Sequence, residues 1–107
     1  MIKLLFWNAR GVGNKPTIAR LRKLCRLNSL SLVVLCEPLL GLSQLDSVRV
    51  RLNFPYGLAN IESRIWVFFD HTWSAVVIAQ SAQFLALRIS NPLLSREVLA
   101  VFCPCVL

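Results

Sequence analysis

Two apolar, strand-like runs flanking one amphipathic helical pattern open this chain, and that succession constrains the fold more than any other feature. Residues 2–7 form a short apolar run with β-favouring aromatic side chains. It stops at Asn8-Ala9-Arg10-Gly11-Val12-Gly13-Asn14, which is loop chemistry. Pro16 suits a first helical position, and Ile18, Leu21, Leu24, Cys25 and Asn28 then recur at steps of three or four, with Arg20, Arg22, Lys23 and Arg26 largely opposite. This pattern predicts an amphipathic helix over residues 16–28. Residues 31–36, with Leu-Val-Val-Leu inside, read as a strand buried on both faces. A right-handed βαβ crossover lays the two strands parallel and brings their carboxyl ends to one edge of the sheet, where α/β proteins place ligands. Asn8 and Glu37 arrive at that edge.

Downstream the signals change. Residues 38–42 turn away from the sheet, and residues 43–51 predict a second helix with Ser43 as its N-cap. After Phe54-Pro55-Tyr56-Gly57, extended segments follow at residues 64–69, 73–79, 84–89 and 97–103. Turn signals at Asp70-His71-Thr72, residues 80–83 and Ser90-Asn91-Pro92 predict antiparallel neighbours. The fold class expected is α/β, one βαβ unit followed by antiparallel strands. At 107 residues there is room for one domain spanning 1–107. Only Pro104-Cys105-Val106-Leu107 follow the last strand, so a sheet architecture truncated at its C-terminus is expected.

Apolar residues make up 56% of the chain and the mean hydropathy is +0.61, which excludes disorder. The longest charge-free run, between Asp70 and Arg88, contains His71, Gln80, Ser81 and Gln83. It reads as two strands around a turn, not as the roughly 20-residue apolar helix a membrane span needs. The apolar run at the amino end is too short for a signal peptide and no small-residue cleavage site follows it. An intracellular chain with no membrane partner is the expectation.

The four cysteines, Cys25, Cys36, Cys103 and Cys105, form no Cys-x-x-Cys pair. Cys25 and Cys36 fall on an apolar helix face and in an apolar strand, where cysteine behaves as a small hydrophobe. Twelve basic against five acidic residues leave a net charge of +7, which suits an anionic partner such as nucleic acid. Arg10, Lys15, Arg20, Arg22, Lys23 and Arg26 crowd the first quarter. For the helical members a solvated face competes with direct contact.

Carboxylate and amide oxygens are hard ligands suited to Mg2+, which binds through one or two carboxylates and keeps positions for phosphate oxygens. Asn8 and Glu37 fit that chemistry. A hydrogen-bonded loop carboxylate is the plain alternative for Glu37. Here a resemblance enters. Leu-Phe-Trp-Asn-Ala-Arg-Gly-Val-Gly, a basic amphipathic helix, then Leu-Val-Val-Leu-Cys-Glu-Pro resemble the opening of the endonuclease/exonuclease/phosphatase superfamily. The nearest subclass is the endonuclease domain of plant LINE-type (non-LTR) retrotransposon polyproteins.

The resemblance implies a partial four-layer α/β sandwich and a hydrolase that nicks DNA with Mg2+ or Mn2+. It places Asn8 at the early site asparagine and Glu37 at the metal-binding glutamate, as catalytic and metal residues. Arg10 and Lys15 become candidates for DNA phosphate contact, and a nuclear location follows. The later family motifs, Asp-x-Asn and Ser-Asp-His, do not occur in this sequence. The single histidine, His71, sits in an expected turn, and Asp46 and Glu62 are left outside the site. Pro38 stands where the family often has threonine or serine. Without the general base, whose assistance is typically worth about 10²–10⁴-fold, the chain alone is expected to be inactive. The rivals are a small basic nucleic-acid-binding module without catalysis and a fragment of a phosphoinositide or sphingolipid phosphodiesterase of the same superfamily.

Overall fold

A computed structural model describes residues 2–103. The first strand, β1 (Leu4–Asn8), leads through a loop into helix α1 (Lys15–Asn28) and back into β2 (Leu32–Cys36). These two strands are parallel and adjacent, with Asn8 opposite Cys36. Asn14 caps the helix, its side chain accepting from the Thr17 amide at 2.8 Å. Ser29 ends it in the left-handed conformation, and Leu30 donates its amide to the Cys25 carbonyl at 3.0 Å. Ile18, Leu21 and Cys25 form the buried stripe of α1.

The second helix starts later than the sequence suggests. Ser43 lies inside a 3₁₀ turn, Leu42–Gln44, and α2 (Leu45–Leu52) follows without a side-chain cap. Leu45, Val48 and Leu52 are its buried positions, and the apolar spacing of that stripe, not a capping hydroxyl, sets where the helix lies. A strand the sequence hides, β3 (Tyr56–Ala59), then pairs antiparallel with β4 (Ile65–Phe69). Pro55 and Gly57 gave that stretch a turn-like look; an edge strand tolerates both.

The main sheet has the order β1-β2-β4-β3. β5 (Ser74–Gln80), β6 (Leu85–Ser90) and β7 (Val98–Phe102) make a second, antiparallel sheet in that order, with an irregularity in β5 between Val77 and Ala79. Antiparallel neighbours are therefore correct for β5 to β7 and incorrect for β4 and β5. The Asp70–Thr72 turn carries the chain from one sheet to the other instead of closing a hairpin. The stretch read as residues 97–103 ends its strand at Phe102, and Pro104 and Cys105 lie outside the described residues.

Alternation along β2 and β4 explains why all ten of their residues are buried. Val33, Leu35, Trp66 and Phe68 meet the helices, while Leu32, Val34, Cys36, Ile65, Val67 and Phe69 face the second sheet. Leu85, Leu87 and Ile89 of β6, with Trp73, close that inner layer. Each such side chain contributes about 1.5–3 kcal/mol by leaving water, so these central strands hold the molecule together. Three layers result: helices, the four-stranded sheet and the three-stranded sheet. The chain is thus mixed α/β. No helix among the described residues is long and apolar enough to cross a membrane.

Candidate metal edge at the ends of the first two strands

Parallel pairing delivers Asn8 and Glu37 to the same edge of the main sheet. The ladder continues past the strands: Ala9 donates to the Cys36 carbonyl at 2.9 Å, Gly11 to that of Glu37 at 2.9 Å, and Val12 to that of Pro38 at 3.0 Å. The two exit loops are thereby stitched together, and Glu37 is pinned from the other side by donating its amide to the Arg64 carbonyl at 2.8 Å. Val12 and Pro38 are buried beneath. This edge is a fixed platform.

Backbone strain concentrates there. Of the seven non-glycine residues with positive φ, Ser29 and Asn53 are helix C-caps. The other five, Arg10, Glu37, Leu39, Glu62 and Ser63, lie in the loops beside the ends of β1 and β2 and the start of β4. Left-handed backbone at residues other than glycine costs about 1–3 kcal/mol each and persists where the surroundings over-determine it, often at functional sites. Gly11, at φ +111, adopts a conformation that a side chain would oppose.

Asn8 shares its face of β1 with Leu4 and Phe6, by alternation. Phe6 stacks on Phe102 of the second sheet with ring centroids 6.2 Å apart, so this face looks into the space between the sheets. The Asn8 Oδ1 is buried and, among the described residues, is the one buried side-chain oxygen or nitrogen without a hydrogen-bond partner. An amide oxygen hidden in this way costs about 1–3 kcal/mol. A cation or donor at the edge would satisfy it, so the donor set fits a hard metal ion on this point.

Glu37 lies half-buried at the mouth of a cleft of about 530 Å³ lined also by Pro38, Leu40, Glu62, Ser63 and Arg64. Glu62 was missed in the sequence because nothing in its spacing ties it to β2. The β3–β4 connection brings it in: Asn60 Oδ1 accepts the amides of Arg64 at 2.9 Å and Ile65 at 2.8 Å and holds a tight 3₁₀ turn, Ile61–Ser63. An asparagine five residues before the apolar run that starts at Ile65 is the only trace of this turn in the sequence. Arg64 approaches Glu62 at 3.7 Å, so one carboxylate of the cleft has a cation beside it and Glu37 is the other.

Arg10 and Lys15 are exposed. Arg10 projects from the β1 exit loop and Lys15 begins α1, both on the metal-edge side. Asp46 pairs with Arg49 at 3.2 Å on α2, away from this cleft. His71 lies at the opposite end of the sheet, since Phe69 pairs with Leu32 at the start of β2; it is exposed and stands edge-on to Tyr56 at 5.4 Å. Burial, with Glu37 and Cys103 as lesser causes, pushes the Cys36 thiol up to about 11. It stays a protonated core group in the inter-sheet layer. Among the described residues no three His, Cys, Asp or Glu side chains gather into a metal cage. In comparisons with known proteins, no family model and no curated protein matches this chain.

Proposed function

We propose that this chain carries the first part of a retrotransposon-type endonuclease site, in a partial endonuclease/exonuclease/phosphatase-like four-layer sandwich of which one helical layer and two sheets are described. The observation that carries the reading is the unpartnered, buried Asn8 Oδ1 at the strand-end edge from which Glu37 also emerges. Support comes from the sequence stretches around both residues, from the parallel β1–β2 pair and from the strained loops at that edge. Nucleic acid as substrate is supported by the net charge of +7; in a cell the chain would then act in the nucleus.

Glu37 and Asn8 would hold one Mg2+ or Mn2+. When bound, such an ion polarises a phosphodiester and neutralises the charge that develops on it. The residues themselves bind and orient. Asn8 fixes one ligand direction without carrying charge, Glu37 supplies the anionic ligand, and Arg10 and Lys15 meet phosphate oxygens on the solvent side. The one histidine of the chain, His71, lies at the far end of the sheet and takes no part at this edge. The chain by itself is a metal and phosphate binder with little or no turnover.

Calorimetric titration of Mn2+ into the chain, with a duplex oligonucleotide present, tests this. One ion per chain is expected, lost in Glu37→Gln and weakened in Asn8→Ala. Equal Mn2+ binding by all three would sink the metal reading.

A further inference from the structure

The molecule has a second charged feature that the metal edge does not use. A cleft of about 430 Å³ between α1 and α2 is floored by Ile18 and Ala19 and lined by Arg22, Lys23, Arg26 and Arg51. Three of these cations come from α1 and the fourth from the last turn of α2. All four are exposed. Sequence alone could not bring Arg51 to the others, because only the packing of the two helices does so.

Their charge goes unrelieved by the chain's own acids. Among the described residues the ion pairs are Arg49–Asp46, Arg64–Glu62 and Arg88–Glu97, none of which involves the cleft. α1 carries no acidic residue at all. Asp70 lines an adjoining cleft shared with Arg22 and Arg26, and its carboxylate accepts the Thr72 amide at 2.9 Å. Arg22 and Arg26 are four apart on one helix, a like-charge spacing that costs about 0.2–0.5 kcal/mol. Helix dipoles account for part of the arrangement, since Arg26 and Arg51 lie in last turns. That effect fades within one turn, so Arg22 and Lys23 are left without a structural return.

The distribution also says which anion fits. At about 100° per residue, Lys15, Arg22 and Arg26 fall within roughly 40° of one another on the wheel of α1. They form one stripe about 16 Å long at 1.5 Å per residue. A nucleic-acid strand advances about 3.4 Å per phosphate along the duplex axis, so the stripe matches a rise of about five phosphates. A compact anion needs only one end of it. Three guanidiniums and one ammonium line the cleft, and guanidinium forks suit phosphate oxygens.

We propose that the α1–α2 cleft, extended along the α1 stripe to Lys15, binds the phosphodiester backbone of duplex nucleic acid as a contact separate from the Asn8–Glu37 edge. The stripe runs from that edge towards the opposite end of the helical layer. The cleft shares its ligand class and Lys15 with the endonuclease reading, but Arg22, Lys23, Arg26 and Arg51 are its own, and it stands if the metal site fails.

Anisotropy titrations of a labelled 20-base-pair duplex at several salt concentrations test the proposal. Arg22→Ala/Arg26→Ala is expected to weaken binding about tenfold and flatten the log–log salt dependence by about 2, one per lost phosphate contact. Arg51→Ala, on the other helix, is expected to act in the same direction by about 1. Arg96→Ala, a cation outside the cleft, is expected to bind as the parent does, and the losses in the cleft variants are expected to be the same with and without EDTA. The proposal is overturned if the cleft variants bind like the parent, or if Arg96→Ala costs as much per charge, which would reduce the effect to net charge. Cleft-variant losses that vanish in EDTA would move the contact to the strand-end edge and also overturn it. Tighter binding of inorganic tripolyphosphate than of duplex would exclude an extended backbone as the ligand. Circular dichroism of each variant separates lost contact from lost fold.

Discussion

The four-stranded sheet and the three-stranded sheet are built from similarly apolar strands, yet only the first has central strands covered on both faces. In β2 and β4 every side chain is buried, because helices close one face and the second sheet closes the other. In the second sheet the inner positions of β6 are buried while Val76, Ile78, Leu99 and Val101 stand 55%, 43%, 62% and 55% exposed. An antiparallel sheet with one wet face ordinarily alternates apolar with polar residues. Here the outward positions of β5 and β7 stay apolar, with Arg88 between them on β6. The mean hydropathy of +0.61 is thus divided between a closed core and an open face. Hydrophobic strand content does not by itself measure stability; the layer on each side decides.

Truncating the closed sheet gives the largest expected effect. Trp66 is fully buried, under α1 and α2 and edge-on to Phe68 at 6.1 Å. Trp66→Ala should cost about 3–5 kcal/mol, a large share of the about 5–15 kcal/mol that holds a domain folded. Val101→Thr, on the open face, should stay within about 0.5 kcal/mol. Urea unfolding of both would break the comparison if the two losses matched.

Overfilling the same sheet comes next. A Cβ at Gly57 would stand 2.8 Å from Phe68 Cδ1 and 3.2 Å from Arg49 Cδ. The Phe68 ring is locked by its own burial, and Arg49 is held by donating to the Phe54 carbonyl at 2.9 Å. Gly57→Ala should therefore cost about 1–3 kcal/mol, although it merely adds a methyl group at an edge strand. A neutral Gly57→Ala by the same unfolding assay would mean that β3 sits more loosely on β4 than their register implies.

A pH scan sharpens the contrast between layers. Burial, opposed only weakly by a backbone hydrogen bond, pushes Cys25 up from 9.0 to about 11 on the helical side, and Cys36 rises likewise on the inter-sheet side. The unfolded chain gives up these protons near 9 while the folded chain keeps them until about 11, so unfolding releases protons in between. Stability is accordingly unaffected by these thiols below pH 9 and declines between pH 9 and about 11. Melting temperatures over that range should fall less steeply in Cys25→Ala/Cys36→Ala than in the parent, whatever the variant's lower starting point. Parallel slopes would show that both thiols ionise freely in the fold.

Much of this architecture is legible in the residues, and the illegible parts share a cause. The β1–α1–β2 unit follows from apolar period and loop chemistry, which are local. Asn8 and Glu37 could be placed together because one crossover rule joins their strands. β3 escaped because Pro55 and Gly57 mark a turn and an edge strand alike. The Asp70–Thr72 turn gives no local sign of whether the chain folds back in its own sheet or passes to another. Glu62 and Arg51 join their clefts through packing of elements distant in sequence, for which no spacing rule exists. Local chemistry announces itself, whereas a cleft assembled from two distant elements does not.

The smallest expected effect separates the candidate site from both sheets. Everywhere else in the core a substitution should weaken the fold, but Asn8 Oδ1 is buried without a partner and so costs stability where it stands. Asn8→Leu replaces the amide by an apolar group of similar size between the sheets, next to Phe6 and the inner layer. It should raise the unfolding free energy by about 1 kcal/mol while weakening Mn2+ binding. Such a trade is what a residue kept for chemistry shows. If Asn8→Leu instead lowers stability by a similar amount, the amide has a structural partner in the folded chain, and the strongest support for metal binding at this edge is gone.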